Sequence, residues 1–134
     1  MFTRGKVYRR RHLHQLYGGQ EQGGISTPSD HNMIFLFTGD RGTEHGYQDS
    51  WTDEGTFLYT GEGQKGDMQF LRGNKAIRDH MQNGKELHLF KQAERAHVEY
   101  IGQMVYVGHR FTPGRDTTGE IRQMIVFKLR PLDE

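Results

Sequence analysis

The sequence predicts an α+β (α/β) domain, a twisted and partly closed β-barrel of about six strands with two short helices. Three observations carry this expectation. Apolar runs of strand length recur along the chain and are separated by turn-forming residues. Only two stretches read as helix, and both are short. Glycine is abundant, 18 of 134 residues, and much of it falls in polar connecting stretches.

Taken in order, Val7 and Tyr8 read as a short strand, and the stretch from Arg10 to Tyr17 as a short helix. Residues 18–31, G-G-Q-E-Q-G-G-I-S-T-P-S-D-H, are too polar and turn-rich for core. Met33-Ile34-Phe35-Leu36-Phe37 is a continuous apolar run, the pattern of a central strand buried on both faces. Residues 39–55 are polar again, with Tyr47 and Trp51 isolated among them. Thr56 to Thr60 is a strand that ends at Gly61-Glu62-Gly63. From Met68 to Met81, Phe70, Leu71, Asn74, Ile77, Arg78 and Met81 approximate a 3–4 repeat, and Asn83-Gly84 supplies a helix stop. Leu87, Leu89 and Ala93 alternate with polar residues, which predicts a half-exposed strand. Val98 to Phe111 is a long strand with Val98, Tyr100, Gly102, Met104, Tyr106 and Gly108 on one face and Ile101, Val105 and Val107 partly on the other. A turn over 113–119 leads to a last strand, Ile121 to Leu129.

The length suits one domain. The absence of cysteine excludes disulfides and thiolate zinc sites. No apolar run approaches the roughly 20 residues of a membrane span. Arg4, Lys6 and Arg9-Arg10-Arg11 stand where a secretory leader would be apolar, so none is expected. The formal net charge is +1, which offers nucleic acid no global field. Charge is nevertheless clustered. Acidic residues gather between Asp40 and Glu62, and basic ones near the start and between Lys65 and Arg78. A phosphate-gripping strip drawn from Arg9, Arg10, Arg11, Lys65, Arg72 and Lys75 is therefore expected to be local.

Two stretches are chemically unusual. Residues 45–63 offer Tyr47, Asp49, Ser50, Trp51 and Tyr59 beside several glycines. Tyrosine rings have flat apolar faces, and a carboxylate beside them accepts from an exocyclic amine; together these suit an extruded cytosine. By composition alone, an ordinary sheet-and-turn role for both tyrosines is the plainer reading. Residues 17–28 pair glycines with Gln20 and Gln22, so that backbone can approach a partner while glutamines read base edges or fill a vacated base position. A plain connecting loop is the plainer alternative there too.

Order and spacing add to this. Gly23-Gly24-Ile25, then Tyr47-Gln48-Asp49, then Phe57-Leu58-Tyr59-Thr60-Gly61-Glu62-Gly63 resemble, in sequence, three signatures of the SRA (SET- and RING-associated) domain of the PUA-like superfamily. Asn74-Lys75-Ala76-Ile77 resembles the family's helix and Lys85-Glu86-Leu87 the strand that follows. The resemblance covers most of residues 5–130. It is closer still to the SRA-like domain that precedes an HNH nuclease in bacterial modification-dependent (type IV, McrA-like) restriction enzymes, through the strings at 17–28, 59–68 and 73–80. One departure stands out: the family's eukaryotic pocket aspartate falls three residues after the first tyrosine, where this chain has Ser50, so Asp49 or Asp53 must serve.

The resemblance implies a single SRA-like DNA-binding domain over residues 1–134. It would flip a 5-methyl- or 5-hydroxymethylcytosine out of duplex DNA, with Tyr47 and Tyr59 stacking on the base and Asp49 accepting from its amino group. Ser50 and Trp51 would complete the pocket. Gln20, Gln22, Gly23, Gly24, Ile25 and Ser26 would form the loop that enters the duplex, with Gln22 as the plug. It further implies a binding module without catalysis or cofactor in this chain, linked covalently to an HNH nuclease domain in a bacterial cytoplasmic defence protein, with no metal site here and no membrane. The residues leave two other readings open. A PUA-like hydrolase of modified nucleosides would pair Lys65 or Lys75 with Asp49, and a PUA-type module would bind RNA.

Overall fold

Apolar runs pair into one sheet that is buried on both faces at its centre. The computed structural model describes residues 2–39 and 49–132. In chain order the elements are β1 (Val7–Arg9), α1 (Arg10–Tyr17), β2 (Ile25–Ser26), β3 (Met33–Thr38), β4 (Ser50–Trp51), β5 (Phe57–Thr60), α2 (Arg72–Arg78), β6 (Glu86–Gln92), β7 (His97–Arg115) and β8 (Ile121–Pro131). The strand order is β2-β3-β6-β7-β8-β5-β4, with β1 on β7. The β3–β6 pair is parallel and the others are antiparallel. The sheet ends at β2 and β4 without closing, so the fold is a mixed α+β, partly open barrel.

Besides pairing with β1, β7 joins two long ladders. Residues 98–104 pair with β6 and residues 104–115 with β8. The register shifts at Leu89/Phe90, opposite Gly102, and again between Tyr106 and Gly108. Gly102 (φ 151°) and Gly108 (φ 153°) take backbone angles that side chains disfavour, which permits these bulges and the bending of the strand.

β3 feeds both cores. Ile34 and Leu36 join one cluster with Phe57, Tyr59, Ile77, Leu87, Leu89 and Phe127. Met33 and Phe35 join the other with Leu13, Phe90, Val98 and Tyr100. α1 covers the second cluster through Leu13, and α2 the first through Ile77. The expected central strand is thus present, with Met33–Leu36 all buried.

Several expectations are corrected. The helix predicted over 68–81 is only Arg72–Arg78. Met68 N–H donates to Gln123 O at 2.9 Å, which ties that segment to β8, and Leu71 is extended. β6 is an interior strand, and Leu87–Phe90 are all buried because β3 and β7 flank it. His88 tolerates this by bonding Tyr100 Oη at 2.8 Å. Residues 113–115 continue β7, so the turn begins at Asp116. Eight strands form among the described residues; the two-residue strands β2 and β4 escaped the apolar pattern.

Candidate nucleic-acid interface

A cleft of about 1070 Å³ opens where the ends of several elements meet. One wall is the glycine loop 21–24, another the end of β3 with Asp49, and a third the run from Tyr59 to Gln64. The β6–β7 and β7–β8 turns close the rim with Arg95, Arg115 and Arg122.

Asp49 stands just before β4. Its Oδ2 accepts from Thr38 Oγ1 at 2.6 Å and its Oδ1 from Thr60 N at 2.8 Å. The ends of β3 and β5 therefore fix the carboxylate. Burial raises its pKa, and the Thr38 and Thr60 hydrogen bonds oppose that rise without cancelling it. A carboxylate offers about four lone-pair sites, more than the contacts with Thr38 and Thr60 fill.

Tyr59 lies beside it, on β5, and is 2 % exposed. Its hydroxyl is within reach of Gly24 O at 2.8 Å and Phe37 O at 3.1 Å, and its single proton serves one of them at a time. Burial, then the charges of Asp49 and Glu62, hold the phenol well above its usual pKa, so it stays a donor. Gly24 is required by this approach, since a Cβ there would stand 2.9 Å from the tyrosine oxygen. Tyr47, the other ring expected to stack, lies outside the described residues.

The glycine loop is held from below by α1. The Arg10 guanidinium lies 3.8 Å above the Phe37 ring and donates to Gly23 O at 2.9 Å. Arg10 Nε donates to His14 Nε2 at 3.1 Å, which assigns the His14 proton to Nδ1, where it is donated to Gly18 O at 2.9 Å. Gln20 folds its amide onto Thr27, accepting from Thr27 N at 2.7 Å. Gln22 and Gly23 border the cleft, and a Cβ at Gly23 would meet nothing within 4 Å.

The structure narrows the expected site. Ile25 and Ser26 form β2 opposite Leu36 and Phe35 and are buried, so they cannot enter a duplex with the loop. Ser50 and Trp51 form β4 at the sheet edge, where Trp51 is 48 % exposed and packs against Phe57 away from the cleft. Asp53 sits in the exposed β4–β5 turn. Of the six expected phosphate residues, only Arg10 borders the cleft. Arg9, Arg11, Lys65, Arg72 and Lys75 are exposed outside its walls, although Lys65 adjoins Gln64, which lines it. Because neither Lys65 nor Lys75 borders the cleft, the lysine–Asp49 pairing of a hydrolase is not assembled.

Sequence reasoning missed Arg95, Arg115 and Arg122. Arg95 sits in the β6–β7 turn before Ala96, whose φ of 66° closes the turn and whose carbonyl accepts from Arg10 N at 3.0 Å. Arg115 ends β7 and Arg122 begins β8. The opposite ends of β7 reach one cleft only because the strand curls, and nothing in the local sequence signals that. Glu62, also missed, accepts from Gly73 N at 3.0 Å, while Asn74 bonds both the N–H and the C=O of Glu62, fastening α2 to the cleft wall.

No curated protein matches the chain. Among solved structures, the sulfur binding domain and SRA domain of ScoMcrA complexed with phosphorothioated DNA aligns with a TM-score of 0.79 at 22 % identity, covering 100 % of this chain and 41 % of that one. The type IV phosphorothioation-dependent restriction endonuclease ScoMcrA aligns with a TM-score of 0.79 at 24 % identity, covering 100 % of this chain and 29 % of that one. The SUVH5 SRA–methylated CHH DNA complex aligns with a TM-score of 0.68 at 20 % identity, covering 97 % and 88 %. The chain thus spans less than half the length of the ScoMcrA chains it matches. At these identities the likenesses establish the fold. The model of the family described as ScoMcrA-like, SRA domain, matches residues 4–134, and the chain belongs to that family.

Proposed function

We propose that this domain binds duplex DNA carrying a modified cytosine, 5-methyl- or 5-hydroxymethylcytosine, and accommodates the extruded base in the cleft beside Asp49. The observation that carries this is the half-buried Asp49 carboxylate, fixed by Thr38 and Thr60 in a cleft that is larger than a nucleobase and overhung by a pinned glycine loop. A fixed carboxylate in a low-dielectric site is an acceptor for the exocyclic amine of cytosine, and the interaction strengthens as water leaves. Tyr59, only 2 % exposed, would stack on the base only once the glycine loop that covers it shifts. Tyr47 would supply the opposing ring. Gln22, at the tip of the Arg10-pinned loop, would fill the space the base vacates, with Gly23 and Gly24 admitting backbone close to the DNA. The cost of extrusion, a few kcal/mol, is offset by stacking and by the Asp49 contact.

Support for a restriction role comes from the relatives. Solved structures of this fold include ScoMcrA with phosphorothioated DNA and the SUVH5 SRA domain with methylated and hydroxymethylated DNA. By this reading the chain is the specificity module of a modification-dependent restriction enzyme acting in the bacterial cytoplasm, and an HNH nuclease resides on residues beyond this chain. The test is a binding panel with one duplex carrying cytosine, 5-methylcytosine, 5-hydroxymethylcytosine or a glucosylated base at a single position, with an RNA duplex as control. Preference for one modified cytosine supports the reading. Equal binding to all four DNAs, or preference for RNA, overturns it.

A further inference from the structure

Arg122 borders the cleft, yet only 8 % of it is exposed. Its Nη1 donates to Gly63 O at 3.1 Å and to Gly66 O at 2.8 Å. Its Nε is buried without a hydrogen-bond partner. Among the described residues no carboxylate pairs with it. Asp116 borders the same cleft, but its carboxylate is engaged by Gly66 N, Thr118 N, Thr118 Oγ1 and Glu120 N. A cation this buried, balanced by carbonyls alone, is under-satisfied for a group with five donors.

The geometry of the deficit is specific. Both protons of Nη1 have carbonyl acceptors and Nε is shut off from solvent, so Nη2 is the donor left to a ligand. Its protons suit an anionic oxygen such as that of a phosphate, through a charge-assisted bond. The guanidinium is also held in place. Thr117 N donates to Gln64 O and Gln123 N to Asp67 Oδ1, so the hairpin end and the loop over 61–67 brace each other around it. Arg115 borders the same end of the cleft with an exposed side chain, its Nη1 on Gly119 O at 2.8 Å.

We propose that Arg122 builds a phosphate subsite in the cleft, its Nη2 donating to one backbone phosphodiester of the bound duplex, with Arg115 as a second, solvent-exposed cation. This rests on the DNA-binding reading of the same cleft and divides it chemically. The base amine meets Asp49 at one end and the backbone anion meets Arg122 at the other.

The experiment scans modified duplexes in which each phosphate near the modified base is replaced, one at a time, by a neutral methylphosphonate. Wild type should lose about tenfold or more in affinity at one position and little at its neighbours. Arg122→Met should bind more weakly, show no further loss at that position, and lower the slope of log affinity against log salt by about 0.9. Arg122→Lys, which keeps the charge on a differently shaped head, should recover most of the slope and part of the affinity. Thermal unfolding of each variant checks the fold. If Arg122→Met does not fold, the wild-type scan and Arg122→Lys decide. A flat wild-type profile overturns the proposal. So does a folded variant that stays sensitive at the same phosphate with an unchanged salt slope, the signature of a purely structural brace. A wild-type protein that binds no modified duplex overturns the DNA-binding reading and this proposal with it.

Discussion

Replacing Asp49 by asparagine separates recognition from folding. In the free protein Oδ1 accepts from Thr60 N and Oδ2 from Thr38 Oγ1. In Asp49→Asn the amide oxygen keeps the Thr60 bond, and the amide nitrogen donates to a Thr38 hydroxyl that has turned to accept. Charge-assisted bonds become neutral ones, but the cost of burying a charge disappears, so stability should change by no more than about 1 kcal/mol. Recognition should suffer more. The cytosine amine loses its anionic acceptor, and a buried donor left without a partner costs about 1–3 kcal/mol, roughly a 5- to 150-fold loss of affinity. Non-specific duplex binding is carried by phosphates and should not change. Fluorescence anisotropy at fixed salt, with modified and unmodified duplexes, measures both, and thermal unfolding checks the fold. A folded Asp49→Asn protein with wild-type affinity for the modified duplex would refute the reasoning, as would an equal loss on both duplexes.

Tyr59→Phe keeps the ring and removes the hydroxyl, and Gly24 O still accepts from Phe37 N at 2.7 Å. Urea unfolding should show a loss of about 0.5–1.5 kcal/mol, and a loss above about 3 kcal/mol would contradict a simple latch. Gly24→Ala drives a Cβ to within 2.9 Å of the Tyr59 oxygen, so it should destabilise the wild type more than it destabilises Tyr59→Phe. Equal costs in the two backgrounds would remove that contact from the account. Two aspartates should shape the pH dependence in opposite senses. Burial raises Asp49, so its contribution is fully present below the unfolded carboxylate range and lost as pH rises through its folded pKa. Hydrogen bonds from Gly66 N and the Thr118 hydroxyl lower Asp116, so its contribution is present above about pH 4 and lost as pH falls further. Urea midpoints across pH 3–7 should therefore fall less steeply toward acid in Asp116→Asn, and an unchanged acid limb would reject that assignment.

What the sequence made legible was whatever depends on local pattern. The run from Met33 to Phe37 has no polar interruption, and it forms the strand that feeds both cores. The alternation of Val98, Tyr100, Gly102 and Met104 marks the buried face of β7. Motif order brought Asp49, Tyr59 and the glycine loop together, and those residues do line one cleft. Long-range pairing was not legible. The Met68 backbone bond to β8 shortens α2, and the pairing of Ile25 and Ser26 with β3 withdraws them from the loop. The bulges opposite Gly102 and at Gly108 accompany the curl of β7 that gathers Arg95, Arg115 and Arg122 around the cleft. Local composition marks none of these. Arg122 is also hidden by its neighbours Ile121 and Gln123, which present it as an ordinary strand residue.

Extrusion of the base is the central claim, and the imino proton of the guanine opposite the modified cytosine reports on it directly. In NMR spectra of a duplex saturated with the domain, the account predicts that this one imino resonance is lost to solvent exchange, while those of the neighbouring pairs persist. Asp49→Asn, at a concentration too low to saturate it, should leave part of the signal. Persistence of that imino resonance in the saturated wild-type complex would mean that the base stays paired, and would contradict the account.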